Sequence, residues 1–419
     1  MKRYGLLGAK LKHSFSREIH KAIGGYDYDL IELTESGLRD FLTRKEFSAV
    51  NVTIPYKKTV IPYLDELTEE AAAIGAVNCI RNDGGRLTGH NTDFGGLKAL
   101  LLRLNADING NKVLIAGTGG TSDTAAAVCR SMGASAIIRA SRAPGMQESP
   151  SQSETVAYAA AADKHSDASV IINTTPCGMY PEIFESPINL DSFDHAKTVI
   201  DVIYNPLRTM LVSSALKRGI RAEGGLYMLV AQAVKASEFF FGKRYENGLT
   251  DSIYDKIYRQ KSNIILTGMP SCGKTTIAGL LAKKTGRPVY DTDAIIEKKA
   301  GMNISDIFAR YGEKHFRDLE TEAIREAAAV SSAVIATGGG AVLREENIRA
   351  LKMNGEIFFI DRDPSLLTPT DDRPLARNSA AVRERYAERY PLYISTADHR
   401  TENNGPAEKA ADAILEVYT

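Results

Sequence analysis

Asn263 to Thr276, NIILTGMPSCGKTT, carry the residue types of a polyphosphate site. Gly268, Gly273, Lys274 and Thr275 satisfy the spacing G-x-x-x-x-G-K-[ST], with Thr276 closing the run. In that pattern backbone N–H groups cradle phosphates, the lysine reaches the terminal phosphates and the threonine hydroxyl ligates Mg²⁺. Apolar residues on both sides, Ile264 to Leu266 before and Ile277, Leu280 and Leu281 after, predict a strand, a loop and a helix rather than a chance glycine turn.

A second constellation lies in KVLIAGTGGTSDTAAAV, which begins at Lys112. An apolar strand runs into Gly117, Gly119 and Gly120, then Thr121 and an alanine-rich helix. This is the outline of a dinucleotide-binding turn without its full G-x-G-x-x-G spacing, the glycines letting backbone approach a pyrophosphate at a helix N-terminus. The next strand ends in Ser141 and Arg142, where an NAD site would place a carboxylate for the ribose 2′-hydroxyl. Arg142 would attract a 2′-phosphate, which favours NADP; a solvated surface arginine is the other reading.

A third stands in AVNVTIPYK, residues 49–57, where Pro55 breaks an apolar strand and leaves Asn51, Thr53 and Lys57 at its opening into a loop. Asp93, in GHNTD ahead of the helical stretch Gly96 to Leu104, is on spacing alone either a helix cap or a functional carboxylate.

These residues need α/β scaffolding, and alternating strand-like and helical runs supply it. A P-loop normally follows the first strand of its own domain, so about 260 preceding residues form something else, and the boundary is expected near 260, within the polar stretch 247–262. The 419 residues, 43% hydrophobic, suffice for two or three conventional cores. The 52 basic and 52 acidic residues cancel, which removes the electrostatic footprint of a nucleic-acid or anionic-membrane binder and favours small polar substrates. No membrane span or signal-peptide core is legible, so a cytoplasmic protein is expected. The cysteines Cys79, Cys129, Cys177 and Cys272 are too scattered for disulfides or structural zinc.

Taken together, residues 1 to about 257 resemble shikimate dehydrogenase, and residues 262 to 419 resemble shikimate kinase. The resemblance implies a two-lobed α/β dehydrogenase with a Rossmann-like NADP lobe (about 104–235) and a substrate lobe (about 1–103 plus 236–257). It also implies a kinase with a parallel sheet flanked by helices, like the nucleoside monophosphate kinases. In the dehydrogenase, His13-Ser14-Phe15-Ser16 matches the HSxS motif, which makes Ser14 and Ser16 ligands of the substrate carboxylate. Asn51, Thr53, Asn78, Tyr204 and Gln232 become substrate contacts, and Lys57 and Asp93 catalytic residues. Thr175 and Met179, in NTTPCGM, would border the nicotinamide. In the kinase, Asp291 would lie near Mg²⁺ and Asp293 on the substrate hydroxyl. Arg317 and Arg389 would pair with the carboxylate, Gly338, Gly339 and Gly340 admit backbone to the ring, and Arg373 acts as the lid arginine.

The implied activities are NADPH-dependent reduction of 3-dehydroshikimate to shikimate and phosphorylation of shikimate by ATP with Mg²⁺. Two other readings stay open: a quinate-using dehydrogenase fused to the kinase, and a non-catalytic regulator that senses shikimate or quinate. Oligomeric state is not legible.

Overall fold

A computed structural model of the protein describes residues 3–11, 14–144, 153–367 and 379–418. His13, Arg373 and most of segment 364–372 lie outside the described residues. The chain forms two compact units, Met1–Tyr204 with Thr209–Tyr258, and Asn205–Arg208 with Arg259–Thr419. The division falls within the helix Leu249–Lys261, which buries Ile253 and Ile257.

The first unit holds two sheets. The first comprises β1 (Tyr4–Gly8), β2 (Asp29–Glu32), β3 (Ala49–Val52), β4 (Glu66–Leu67), β5 (Cys79–Asp83) and β6 (Arg86–His90), in the order β2-β1-β3-β5-β6-β4. β1 runs parallel to β2 and β3, whereas β5 is antiparallel to β3 and β6. Both β1 and β3 are buried throughout, which is why YGLLG and AVNV read as near-continuous runs instead of alternating ones. Asn51 is the polar interruption, and its buried amide must find partners.

The second sheet comprises β7 (Lys112–Ala116), β8 (Ala136–Ser141), β9 (Glu154–Ala157), β10 (Val170–Asn173), β11 (Thr198–Asp201) and β12 (Arg221–Glu223). It is parallel throughout, in the order β12-β11-β10-β7-β8-β9. Strand order reverses between β7 and β10, so a crevice opens beyond their carboxyl ends, as in doubly wound nucleotide-binding sheets. The helices Thr92–Arg103 and Leu226–Phe241 pack along each other beside the sheet and bury Leu97, Leu100, Leu101 and Met228.

In the second unit β13 (Asn263–Thr267), β14 (Val289–Asp291), β15 (Val334–Ala336), β16 (Gly355–Asp361) and β17 (His399–Glu402) form one parallel sheet ordered β14-β15-β13-β16-β17. Its central strand β13 is fully buried among Ile335, Phe358, Phe359 and Leu281. The strand that feeds the P-loop is therefore firmly anchored in the core of the unit. No helix among the described residues is long and apolar enough to cross a membrane.

Candidate active sites

In the first unit the side chains singled out in β3 and its loop converge on one end of the first sheet. The Lys57 ammonium lies 2.6 Å from the Asp93 carboxylate, with the two side chains 23% and 13% exposed. Asp93 is not the cap of its helix. Asn91 is, its Oδ1 accepting from the Phe94 N–H at 3.3 Å, and the helix begins at Thr92, ahead of the Gly96 start expected from sequence. Capping by Asn91 frees the Asp93 carboxylate to face Lys57.

Asn78 fixes the start of that helix. Its Oδ1 accepts from the Thr92 N–H at 2.7 Å, and its Nδ2 donates to Thr92 Oγ1 at 3.0 Å. Thr92 Oγ1 in turn donates to Gln232 Oε1 at 3.3 Å. Asn51 donates to the Asn78 carbonyl at 3.2 Å and accepts from the Tyr28 hydroxyl at 2.8 Å. Thr53 follows β3, its N–H bonded to the Leu7 carbonyl at 2.8 Å. Ser14 Oγ donates to Ser16 Oγ at 3.0 Å, and Phe15 between them packs on Tyr204 with ring centroids 5.1 Å apart. The helix Ser16–Ile23 also carries His20, whose ring stacks on Tyr28 at 3.8 Å. Burial pushes the His20 pKa down to about 3, so the ring is neutral near pH 7. Sequence reasoning misses Tyr28 and His20, because in isolation they read as core aromatics.

At the switch point of the second sheet, Gly117 has φ +107, and a Cβ there would meet Thr174 Oγ1 at 2.8 Å, so only glycine fits. The helix Gly120–Ser131 starts from Gly119 with no side-chain cap, and the space where Cβ atoms of Gly119 and Gly120 would lie is open. No side chain caps the first-turn N–H groups, Thr121 among them, an arrangement suited to an anion. Across the crevice Thr175 is held by Asn173, whose Oδ1 accepts from the Thr175 N–H at 2.9 Å and hydroxyl at 2.7 Å. Asn173 is held in turn by Asp201 at 3.0 Å, whose pKa burial raises to about 6. Met179 is exposed nearby in sequence, Ser141 ends β8, and Arg142 beside it is exposed.

In the second unit the helix Lys274–Thr285 follows Gly273, which is in the left-handed region and supplies no side-chain cap. Lys274 Nζ donates to the carbonyls of Gly268 and Met269, each at 2.9 Å. The Thr275 hydroxyl donates to Asp291 Oδ2 at 3.1 Å, while Asp291 Oδ1 caps the next helix by accepting from the Asp293 and Ala294 N–H groups. One Asp291 oxygen is thus structural and the other faces the P-loop threonine. Thr276 occupies the following position of the same helix.

Arg317 and Glu320 form a buried pair, 2.8 Å apart and 10% and 1% exposed. Glu313 also accepts from Arg317 at 3.0 Å. Burial works against the Arg317 charge, but Glu320 and Glu313 outweigh it and raise its pKa. Burial raises the Glu320 pKa, which Arg317 opposes and Asp293 reinforces. Arg389 donates to the Gly339 carbonyl at 2.9 Å, and the Tyr393 hydroxyl donates to the same oxygen at 2.6 Å. The triglycine is the point of convergence. A Cβ on Gly338 would lie 2.6 Å from Asp293 Oδ1, and one on Gly339 would lie 2.8 Å from Pro270. On Gly340 it would overlap the Arg317 guanidinium. Glu320 and Tyr393 lie within the motifs GEKHFRDLE and RYPLY, yet their residue types and spacing alone give them no role.

Because Arg317 is held by two carboxylates, it cannot swing away from a Cβ at position 340 without breaking a buried ion pair. Gly340→Ala should therefore prise Arg317 from Glu320 and lower the stability of the second unit by roughly 3–5 kcal/mol, the cost of breaking a buried ion pair. Chemical denaturation of the variant beside the parent chain checks it.

The chain matches two family models: "Shikimate dehydrogenase substrate binding domain" over residues 6–80 and "Shikimate kinase" over residues 270–419. Shikimate dehydrogenase (NADP(+)) of Clostridium beijerinckii is 34% identical over 264 residues, spanning 61% of this chain and 97% of that protein. The crystal structure of shikimate dehydrogenase 1 from Peptoclostridium difficile is similar with a TM-score of 0.57 and 33% identity, over 61% of this chain and 98% of that one. Shikimate 5-dehydrogenase from Thermus thermophilus, solved in complex with NADP(H) and shikimate, gives a TM-score of 0.53 at 26% identity over the same shares. The chain therefore belongs to the shikimate dehydrogenase family and carries a shikimate kinase domain in the same polypeptide.

Proposed function

We propose that the chain reduces 3-dehydroshikimate to shikimate with NADPH and then phosphorylates shikimate with ATP to shikimate 3-phosphate. The observation that carries this is the presence of two assembled sets of reactive groups in one chain. Lys57 stands against Asp93, and Lys274, Asp291, Asp293, Arg317 and Arg389 surround the P-loop and triglycine.

In the dehydrogenase, Ser14 and Ser16 hydroxyls bind the substrate carboxylate, and Asn51, Thr53, Asn78, Tyr204 and Gln232 orient the ring. Reduction leaves negative charge on the ketone oxygen. Lys57 and Asp93 stabilise and protonate that oxygen, a general-acid role that needs both groups within hydrogen-bond reach. When bound, NADPH supplies the hydride. The uncapped turn at Gly117, Gly119, Gly120 and Thr121 would hold its pyrophosphate, Ser141 and Arg142 its 2′-phosphate, and Thr175 and Met179 would border the nicotinamide. The open space over Gly119 and Gly120 supports this fit.

Arg142→Ala should raise the KM for NADPH about tenfold to a hundredfold and leave that for NADH unchanged, because only NADPH carries the 2′-phosphate. Parallel titrations with the two cofactors read this out.

In the kinase, phosphoryl transfer requires positioning and charge neutralisation more than covalent help. Lys274 and the backbone N–H groups of Gly273 to Thr276 bind the ATP phosphates, and Gly268 opens the loop. Thr275 and Asp291 would hold Mg²⁺, which usually takes one or two protein ligands beside phosphate oxygens. Arg317 and Arg389 bind the shikimate carboxylate, Gly338, Gly339 and Gly340 admit the ring, and Asp293 takes the proton of the attacking hydroxyl. Arg373, outside the described residues, is assigned by resemblance to the transferred phosphate. Joint use of NADPH and ATP fits a cytoplasmic enzyme.

Separate assays test each half: NADP⁺ reduction by shikimate, and shikimate-dependent ADP formation from Mg-ATP. Both should proceed with purified chain, and absence of either overturns that half of the assignment.

A further inference from the structure

We infer that the first unit carries a second anion site, for a phosphorylated small molecule, in the groove between the helices Thr92–Arg103 and Leu226–Phe241. The half-open groove has a volume of about 660 Å³, within the range of small-molecule sites. Asn91 and Thr92 border it, but Lys57, Asp93 and Asn51 do not, so it is separate from the reacting groups.

Its lining holds five cationic side chains against the carboxylates of Glu70 and Glu238. Glu238 is already engaged, accepting from Arg244 at 3.1 Å and from the Tyr245 N–H at 3.0 Å. Arg81 is likewise engaged by Asp83 at 2.8 Å and by the Phe239 carbonyl at 3.0 Å. Lys98, Lys235 and Lys243 remain. None has a carboxylate within ion-pair distance among the described residues; Lys98 and Lys235 are half-buried and Lys243 is exposed. Lys235 lies across Gly95, where any Cβ would overlap its side chain. Lys243 closes the rim with its ammonium 4.5 Å from the Tyr245 ring.

Five cationic side chains against two carboxylates leave an excess of positive charge around one cavity, which favours an anion of more than one negative charge, and lysine, as a compact point charge, suits phosphate. Phe94 and Phe239 offer apolar wall for the rest of the ligand. The bounded volume, in a chain whose charges cancel overall, argues for a metabolite and against a nucleic-acid backbone.

Inorganic pyrophosphate is the probe. It is titrated calorimetrically into full chain already saturated with NADP⁺ and adenylyl imidodiphosphate, which fill the other phosphate sites. One additional saturable site is expected. Its Kd should weaken at least tenfold in Lys98→Ala/Lys235→Ala and several-fold in Lys98→Gln, while Lys164→Ala/Lys217→Ala, which removes two lysines elsewhere, should bind like the parent. No saturable binding, or equal affinity in the Lys98 and Lys235 variants, overturns the proposal.

Discussion

Lys57→Ala should lower the dehydrogenase kcat by about 10²- to 10⁴-fold, the usual contribution of a positioned proton donor or acceptor. Lys57 Nζ lies 2.6 Å from Asp93 in a partly buried setting, and the Lys57 carbonyl accepts from the Val77 N–H at 2.8 Å, so the backbone stays anchored when the side chain is removed. The change should therefore fall on turnover. NADPH binding, followed by nicotinamide fluorescence, should be nearly unaffected because the lysine lies in the loop after β3 and not at the Gly117 turn. The kinase rate of the same preparation serves as the folding control. Unchanged dehydrogenase turnover would remove Lys57 from the mechanism.

Asp293→Asn should lower the kinase kcat by a similar 10²- to 10⁴-fold with a much smaller change in the KM for shikimate. Asparagine preserves shape and hydrogen-bonding capacity but cannot take a proton. The position is exacting, since Asp293 Oδ1 faces Gly338 together with Glu320 Oε1. Two neighbouring carboxylates disfavour each other's charge, and Asp293 is among the groups that raise the Glu320 pKa. The substitution removes that repulsion from Glu320. A split in which KM rises and kcat holds would recast Asp293 as a binding residue.

The elements that carry local chemistry are legible in the sequence. The P-loop announces itself through contiguous residues, and both parallel sheets follow from buried apolar runs that end in glycine or polar turns. What is not legible depends on partners far apart in the chain. Thr92 reaches Gln232 across 140 positions, and Tyr28 reaches Asn51 across 23. Asp93 has two readings from spacing, and the choice rests on Asn91 taking the cap, a difference of two residues that periodicity cannot resolve. Glu320 sits three residues after Arg317 on one helix, which suggests a surface ion pair; its near-complete burial, not its spacing, makes it a positioning group. The basic groove is invisible for the same reason, because Lys98 and Lys235 come from different helices and the chain's net charge is zero.

One assay asks directly whether two consecutive enzymes share this polypeptide. Purified chain is supplied with 3-dehydroshikimate, NADPH, ATP and Mg²⁺, with no other enzyme, and NADPH loss and ADP formation are followed together. Two active sites in sequence predict that ADP appears only after NADPH begins to fall, that the two amounts approach equality, and that omitting NADPH abolishes ADP formation. If neither cofactor turns over, the assignment of two catalytic sites fails and the chain is a binding protein built from enzyme modules.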